Sequence, residues 1–331
     1  MKSTEIAIIT ILVLAGIFIA YNYAFSPEAN FSISSKKDSE NLTDEKPAEE
    51  SVDPILEKKS WGAYTGNTAS SFADFEQQVG EKPNMQAVFI GWREPFPADL
   101  ALPLKSNSQT LVIFWEQYNV TLDKIIAGGS DEYIAQFAKE VKFYGGDVIL
   151  SPLHEMNGDW SPWSGVAVGN TPAKAVLAFQ RIHDVFVGTK NVNVKWGWVV
   201  NHESVPDTKE NAIENYYPGD SYVDYVGVDG FNFGDPWQAY SEIFSPVLQK
   251  LKVYNKPIYI FSMASAPASA KAPAGQGMSK KAGWIEDALS KINSDPDIVG
   301  WIWFNEDKEK NWLVSSDSDS LQAFKDGISK K

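Results

Sequence analysis

From Trp61 onward, short apolar runs alternate with longer amphipathic stretches. The runs Trp61–Tyr64, Ala87–Trp92, Thr110–Trp115, Asp147–Leu150, Val194–Val200, Tyr222–Val228, Pro257–Phe261 and Ile298–Phe304 have the length and composition of strands. Between them, stretches such as Asp131–Phe143, Pro172–Val187 and Lys281–Ile292 carry apolar residues at helical spacing. Eight such units predict an α/β fold, a single closed (β/α)8 TIM barrel over residues 60–331. In that architecture the chemistry sits at the carboxyl ends of the strands, and here polar and aromatic residues follow each run.

The pattern upstream is different. Ile6–Tyr23 is apolar, uncharged and long enough to span a membrane. Residues 1–24 therefore read as a signal anchor, with Lys2 and the amino terminus on the cytoplasmic side. A cleaved signal peptide is the competing reading, but its apolar run is usually shorter, and cleavage after Ala24 would put Asn22 at a small-residue position. Residues 25–59 turn to Ser, Lys, Asp, Glu and Pro, the composition of a flexible polar linker. The expected location is the cell membrane, single-pass with the barrel outside, or secretion if the segment is cleaved. Asn30, Asn41 and Asn119 open Asn-X-Ser/Thr triplets, which matter only in a host that glycosylates them.

Charge and composition narrow the chemistry. A net charge of −14 argues against a nucleic-acid partner, which needs clustered Lys and Arg. With no cysteine, disulfides, thiolate catalysis and Cys-based metal sites are excluded. With only three histidines, a His-rich metal site is not expected, and the Asp317-Ser-Asp319 loop reads as a surface turn. No cofactor is called for.

The candidate chemistry gathers after the fourth run, in Ser151-Pro-Leu-His154-Glu155-Met-Asn157-Gly-Asp-Trp160-Ser-Pro-Trp163. One loop holds a carboxylic acid for a glycosidic oxygen, polar groups for hydroxyls and indoles for sugar faces. A glutamate at a strand end, beside indoles and shielded from water, holds its proton more tightly and suits a general acid. Trp160 and Trp163 read as sugar-stacking residues. Trp196 and Trp198 lie two apart in one strand and so face one side, as core, with Trp198 the better placed to reach the cleft.

Several phrases occur in order along nearly the whole chain after the linker. They are Phe114-Trp115-Glu116-Gln117, His154-Glu155-Met-Asn157-Gly-Asp-Trp160, Tyr217-Pro-Gly-Asp220-Ser-Tyr-Val-Asp224, Lys256-Pro-Ile and Trp303-Phe-Asn-Glu-Asp-Lys. Together they resemble glycoside hydrolase family 26, best known for β-1,4-mannanases. The resemblance implies a retaining double displacement on a (β/α)8 barrel acting on a mannan-like polysaccharide or oligosaccharide. It makes Glu155 the acid/base, with His154 beside it. Asn157, Trp160, Trp163, Phe231 and Trp303 become substrate-binding residues around the scissile bond.

The same alignment implies a glutamate nucleophile at the end of the seventh strand, and this chain has Ser262 there. No Asp or Glu occurs between Ile243 and Ile285, so no shifted alignment supplies one. A neutral hydroxyl cannot stabilise an oxocarbenium-like transition state by charge, and no adjacent base activates it. Phe231 stands where the family usually has a tyrosine, and Ser151 and Leu313 where it often has arginines. Three readings remain: a non-catalytic carbohydrate-binding pseudoenzyme, hydrolysis through another carboxylate (Asp229, Glu203, Glu116 or Glu306), and transglycosylation from an activated donor.

Overall fold

The computed structural model describes residues 59–190, 192–268 and 278–329. The apolar run at 6–23 and the linker lie outside the described residues. Among the described residues, no helix is long and apolar enough to cross a membrane.

Eight parallel strands close into a barrel in sequence order, with the eighth paired to the first. They are β1 (Ser60–Tyr64), β2 (Met85–Gly91), β3 (Thr110–Glu116), β4 (Val148–Pro152), β5 (Lys195–Asn201), β6 (Tyr225–Asn232), β7 (Ile258–Ser265) and β8 (Ile298–Phe304). The helices around them are α1 (Ala69–Val79), α2 (Ala98–Ser106), α3 (Leu122–Ile126), α4 (Asp131–Tyr144), α5 (Pro172–Gly188), α6 (Tyr240–Leu251), α7 (Lys280–Ser294) and α8 (Ser318–Ser329). Local signals set several helix ends. Thr171 caps α5, its side chain accepting from the Lys174 amide, and Pro172 follows at the first turn. The Asp317-Ser-Asp319 segment, read as a surface turn, instead opens α8. Asp317 precedes the helix and Asp319 lies in its first turn, and they accept hydrogen bonds from Ser279 and Ser320 at the starts of α7 and α8.

Alternation along each strand splits the apolar residues into two cores. One lies between sheet and helices; the other fills the barrel and includes Phe114, Val199, Tyr259, Phe261 and Ile302. Phe261 needs neighbours without side chains: a Cβ on Gly197 or Gly227 would stand 2.8 or 2.2 Å from its ring. The ring thus plugs the barrel, and from it an aromatic column rises through Phe114 at 6.2 Å to His154, 5.2 Å further on.

At the cleft β7 departs from regular alternation while β6 keeps its phase, with Val226 and Val228 toward the helices and Asp229 and Phe231 inward. Pairing of β6 with β7 shifts register between Val228 and Asp229, and pairing of β7 with β8 shifts between Ile260 and Met263. Consequently Phe261 and Ser262 both face inward although they are adjacent, while Ile260 and Met263 pack toward the helices. The apolar runs predicted ends at Val228 and Phe261; pairing beyond these irregularities carries β6 to Asn232 and β7 to Ser265.

Candidate active site

A cleft of about 930 Å³ opens at the carboxyl ends of the strands. Its β4 wall is the His154-Glu155 loop. Leu153 and Glu155 adopt left-handed backbone conformations, with φ of 58° and 54°. Such residues cost about 1–3 kcal/mol each and persist only where surroundings fix them. Here the Leu153 amide donates to Gln117 Oε1 at 2.9 Å, and the Glu155 amide to the Val199 carbonyl at 2.9 Å. Trp163 Nε1 donates to the His154 carbonyl at 2.8 Å.

The Glu155 carboxyl lines the cleft and accepts from Trp160 Nε1 at 2.8 Å. Burial holds its pKa above the ordinary carboxylate range; the indole N–H acts against the rise, and the Glu116 charge adds to it. It therefore keeps a proton to higher pH than a surface glutamate, as a general acid requires. His154 sits on the aromatic column, where burial pushes its pKa down to about 3. It is a neutral imidazole edge in the cleft, not a cation.

Across the cleft, Asp229 on β6 pairs in register with Ser262 on β7. Asp229 is 2% exposed and Ser262 3%, and both line the cleft. Burial first, and then the charge of Glu155, raise the Asp229 pKa well above normal. Like charges on Glu155 and Asp229 disfavour each other, so the pair favours holding a proton between its members.

The structure sorts the remaining sequence candidates. Glu116 and Glu203 line the cleft, as do Phe231 and Trp160, whose indole is half exposed. Glu306 is not in the lining: it lies within hydrogen-bonding reach of the Tyr64 phenol at the end of β1. Three of the expected substrate-binding residues lie behind the wall. Trp303 faces the helices, its ring 6.2 Å from Trp284 and 5.6 Å from Phe324, because alternation on β8 turns Ile302 and Phe304 inward instead. Trp163 is buried behind His154. Asn157 is buried as a clamp: Nδ2 donates to the Asn201 and Glu203 carbonyls at 3.0 and 3.2 Å, and Oδ1 accepts from the Asn201 amide at 2.8 Å. Trp198 does not reach the cleft either; it packs outward at 5.1 Å from Tyr217 and 5.3 Å from Tyr254.

Other lining residues escaped the sequence reading. Tyr118 and Phe233 expose rings at the cleft, each two residues beyond a named strand-end residue, Glu116 and Phe231. That position, rather than aromatic content alone, marks them. Glu309 also lines the cleft, next to Lys308, the last residue of the Trp303-Phe-Asn-Glu-Asp-Lys phrase. Among the described residues, no group of His, Asp and Glu is arranged to hold a metal ion.

Comparison with known proteins supplies the lineage. The chain is 34% identical over 283 residues to endoglucanase H of Acetivibrio thermocellus, covering 81% of this chain and 30% of that protein. It is 29% identical over 119 residues to a mannan endo-1,4-beta-mannosidase of Bacillus subtilis, covering 34% of this chain and 31% of that protein. The matches thus span about a third of the length of these curated relatives. Among solved structures, a family 26 beta-mannanase from Bacteroides ovatus superposes with a TM-score of 0.62 at 16% identity, covering 83% of this chain and 89% of that one. The B. subtilis mannanase man26 superposes with a TM-score of 0.57 at 16% identity, covering 82% and 86%. These likenesses carry the barrel fold. The model of glycosyl hydrolase family 26 matches residues 106–289, more than half of the chain, and the chain belongs to that family.

Proposed function

We propose that the cleft takes a β-linked, uncharged polysaccharide, mannan first, with Glu155 as the proton donor, and that Ser262 in the nucleophile position rules out the retaining double displacement. The single observation carrying this reading is the cleft itself. Glu155 and Trp160 stand on one wall, and a neutral hydroxyl lines the other where the resemblance calls for a carboxylate. The printed names of the relatives, mannan endo-1,4-beta-mannosidase, endoglucanase and beta-1,3-xylanase, support a β-linked polysaccharide. Charge supports a neutral one, because the acids lining the cleft face a single lysine, Lys308. Exposed Tyr118, Trp160 and Phe233 offer stacking faces for sugar rings. The serine also favours a second reading, a binding domain that grips a glycan without cutting it. The apolar run at 6–23 and the linker favour display outside the membrane.

The test is calorimetric titration of the full chain with β-1,4-manno-oligosaccharides and β-1,4-gluco-oligosaccharides, followed by assay of Ser262→Glu. The expected result is saturable binding by wild type and new, anomer-retaining turnover in Ser262→Glu. Wild type that binds neither series would end the glycan-cleft reading, and retaining turnover by wild type would end the role given to Ser262.

A further inference from the structure

We infer that Asp229 is the base of a single-displacement, anomer-inverting hydrolysis in this cleft, holding the attacking water together with the Ser262 hydroxyl while Glu155 protonates the leaving oxygen. This rests on the glycan-cleft reading above.

Position comes first. Asp229 and Ser262 are register partners on neighbouring strands: regular alternation on β6 turns Asp229 into the cleft, and the irregularity in β7 turns Ser262 in beside it. Asp229 is almost wholly buried, yet its Oδ1 has no hydrogen-bond partner among the described residues. A buried carboxylate oxygen without a donor is costly, and a water that donates to it relieves the cost. The other acids are less well placed. Glu116 is engaged by Tyr118 and lies beside the Lys308 charge, and Glu306 is engaged by Tyr64 outside the lining. Glu203 belongs to the loop after β5, which Asn157 ties to the Glu155 wall.

Size comes second. Serine ends where the longer glutamate side chain would carry its carboxylate toward the sugar. A water bridging the Ser262 hydroxyl and the Asp229 carboxylate would approach the anomeric carbon from the side opposite Glu155. Inverting enzymes use this arrangement, with two carboxyls on opposite sides of the bond and a water beside the base. The mutual repulsion of Glu155 and Asp229 favours one protonated and one ionised member. Burial raises both, so the base role requires the bridging water's donor at the unpartnered Asp229 Oδ1 to hold that carboxylate ionised.

The step balances. Asp229 takes one proton from the water, whose oxygen bonds to the anomeric carbon as the bond to the leaving oxygen breaks. Glu155 gives its proton to that oxygen. Asp229 ends protonated and Glu155 ionised, and one proton passes from the first to the second through solvent before the next turnover.

The test is proton NMR of the first-formed product when the full chain is incubated with a β-1,4-manno-oligosaccharide. The α-anomer should appear first. Asp229→Asn should lower turnover at least ~100-fold while the oligosaccharide still binds and thermal melting is unchanged. The β-anomer appearing first, turnover surviving in a folded Asp229→Asn, or binding without any cleavage would each overturn the inference and leave the glycan cleft standing. Absence of binding would remove both.

Discussion

The two walls of the cleft are built to different standards. The β4 wall spends two left-handed residues and a buried asparagine clamp to hold one carboxyl against one indole. The β7 wall is an irregular strand end presenting a short hydroxyl beside an aspartate with an unpartnered oxygen. Local cost is kept where surrounding bonds fix the geometry, so the β4 wall retains the architecture of an acid site. On the proposed reading, the β7 wall lacks the carboxylate whose geometry would need such support. On that reading, the proton donor stays fully framed while its partner position changes chemistry.

The largest test of that contrast removes the acid. Glu155→Gln keeps the shape of the β4 wall, including an oxygen for Trp160 Nε1, but cannot donate a proton in acid form. Turnover should fall by ~10²–10⁴-fold, with oligosaccharide affinity by calorimetry nearly unchanged. An equal loss of binding would mean that Glu155 grips sugar rather than protonating it.

Next, the clamp. Asn157→Ala strips four side-chain hydrogen bonds from a fully buried site and takes the Asn157 partner from the Asn201 amide and carbonyl, while the Glu203 carbonyl keeps the Asn201 Nδ2 donor at 2.7 Å. The expected destabilisation is roughly 2–4 kcal/mol by denaturant unfolding. Ser262→Ala, on the other wall, should cost under about 0.5 kcal/mol, because no wall geometry depends on that hydroxyl. Similar costs for the two would erase the difference between the walls.

Much of this was legible before the structure. Apolar runs located all eight strands, and Ile298–Phe304 matches β8 at both ends. The motif loop and the serine were plain in the residues themselves, and both line the cleft. What the residues could not disclose was facing. Trp198 and Trp303 are apolar enough to be buried anywhere, and only strand phase decides whether such an indole meets a ligand or a helix. Trp163 lies in the loop after β4, which folds back so that its indole donates to the His154 carbonyl. The phase of β8 could have been counted, since Trp303 follows Trp301 on the helix side. The phase of β7 could not, because its irregularity puts adjacent Phe261 and Ser262 on one side. Four spare carboxylates stood level in the sequence, because residue order does not say which strand ends are neighbours; pairing across strands sets Asp229 beside Ser262.

The last test concerns how the β7–β8 side is charged. The β4 and β6 sides bury acids; here Lys281, on α7, is 1% exposed and donates through Nζ to the Leu313 and Asn311 carbonyls at 2.7 and 3.1 Å. Those carbonyls belong to the loop after β8 that brings Lys308 and Glu309 to the cleft. Burial pushes the Lys281 pKa down from 10.5 to about 7, partly offset by the Asp317 charge. Between those values the unfolded chain holds a proton that the folded chain lacks, so stability rises with pH across that window. The ammonium's cost is fully present below pH 7 and gone above 10.5. The contribution is at most ~1.4 kcal/mol per pH unit, visible as a melting temperature that climbs more steeply in wild type than in Lys281→Met between pH 7 and 10. Parallel curves would mean that the amine is solvated in both states, and that the β7–β8 wall, unlike the β4 wall, places no buried charge behind its loop.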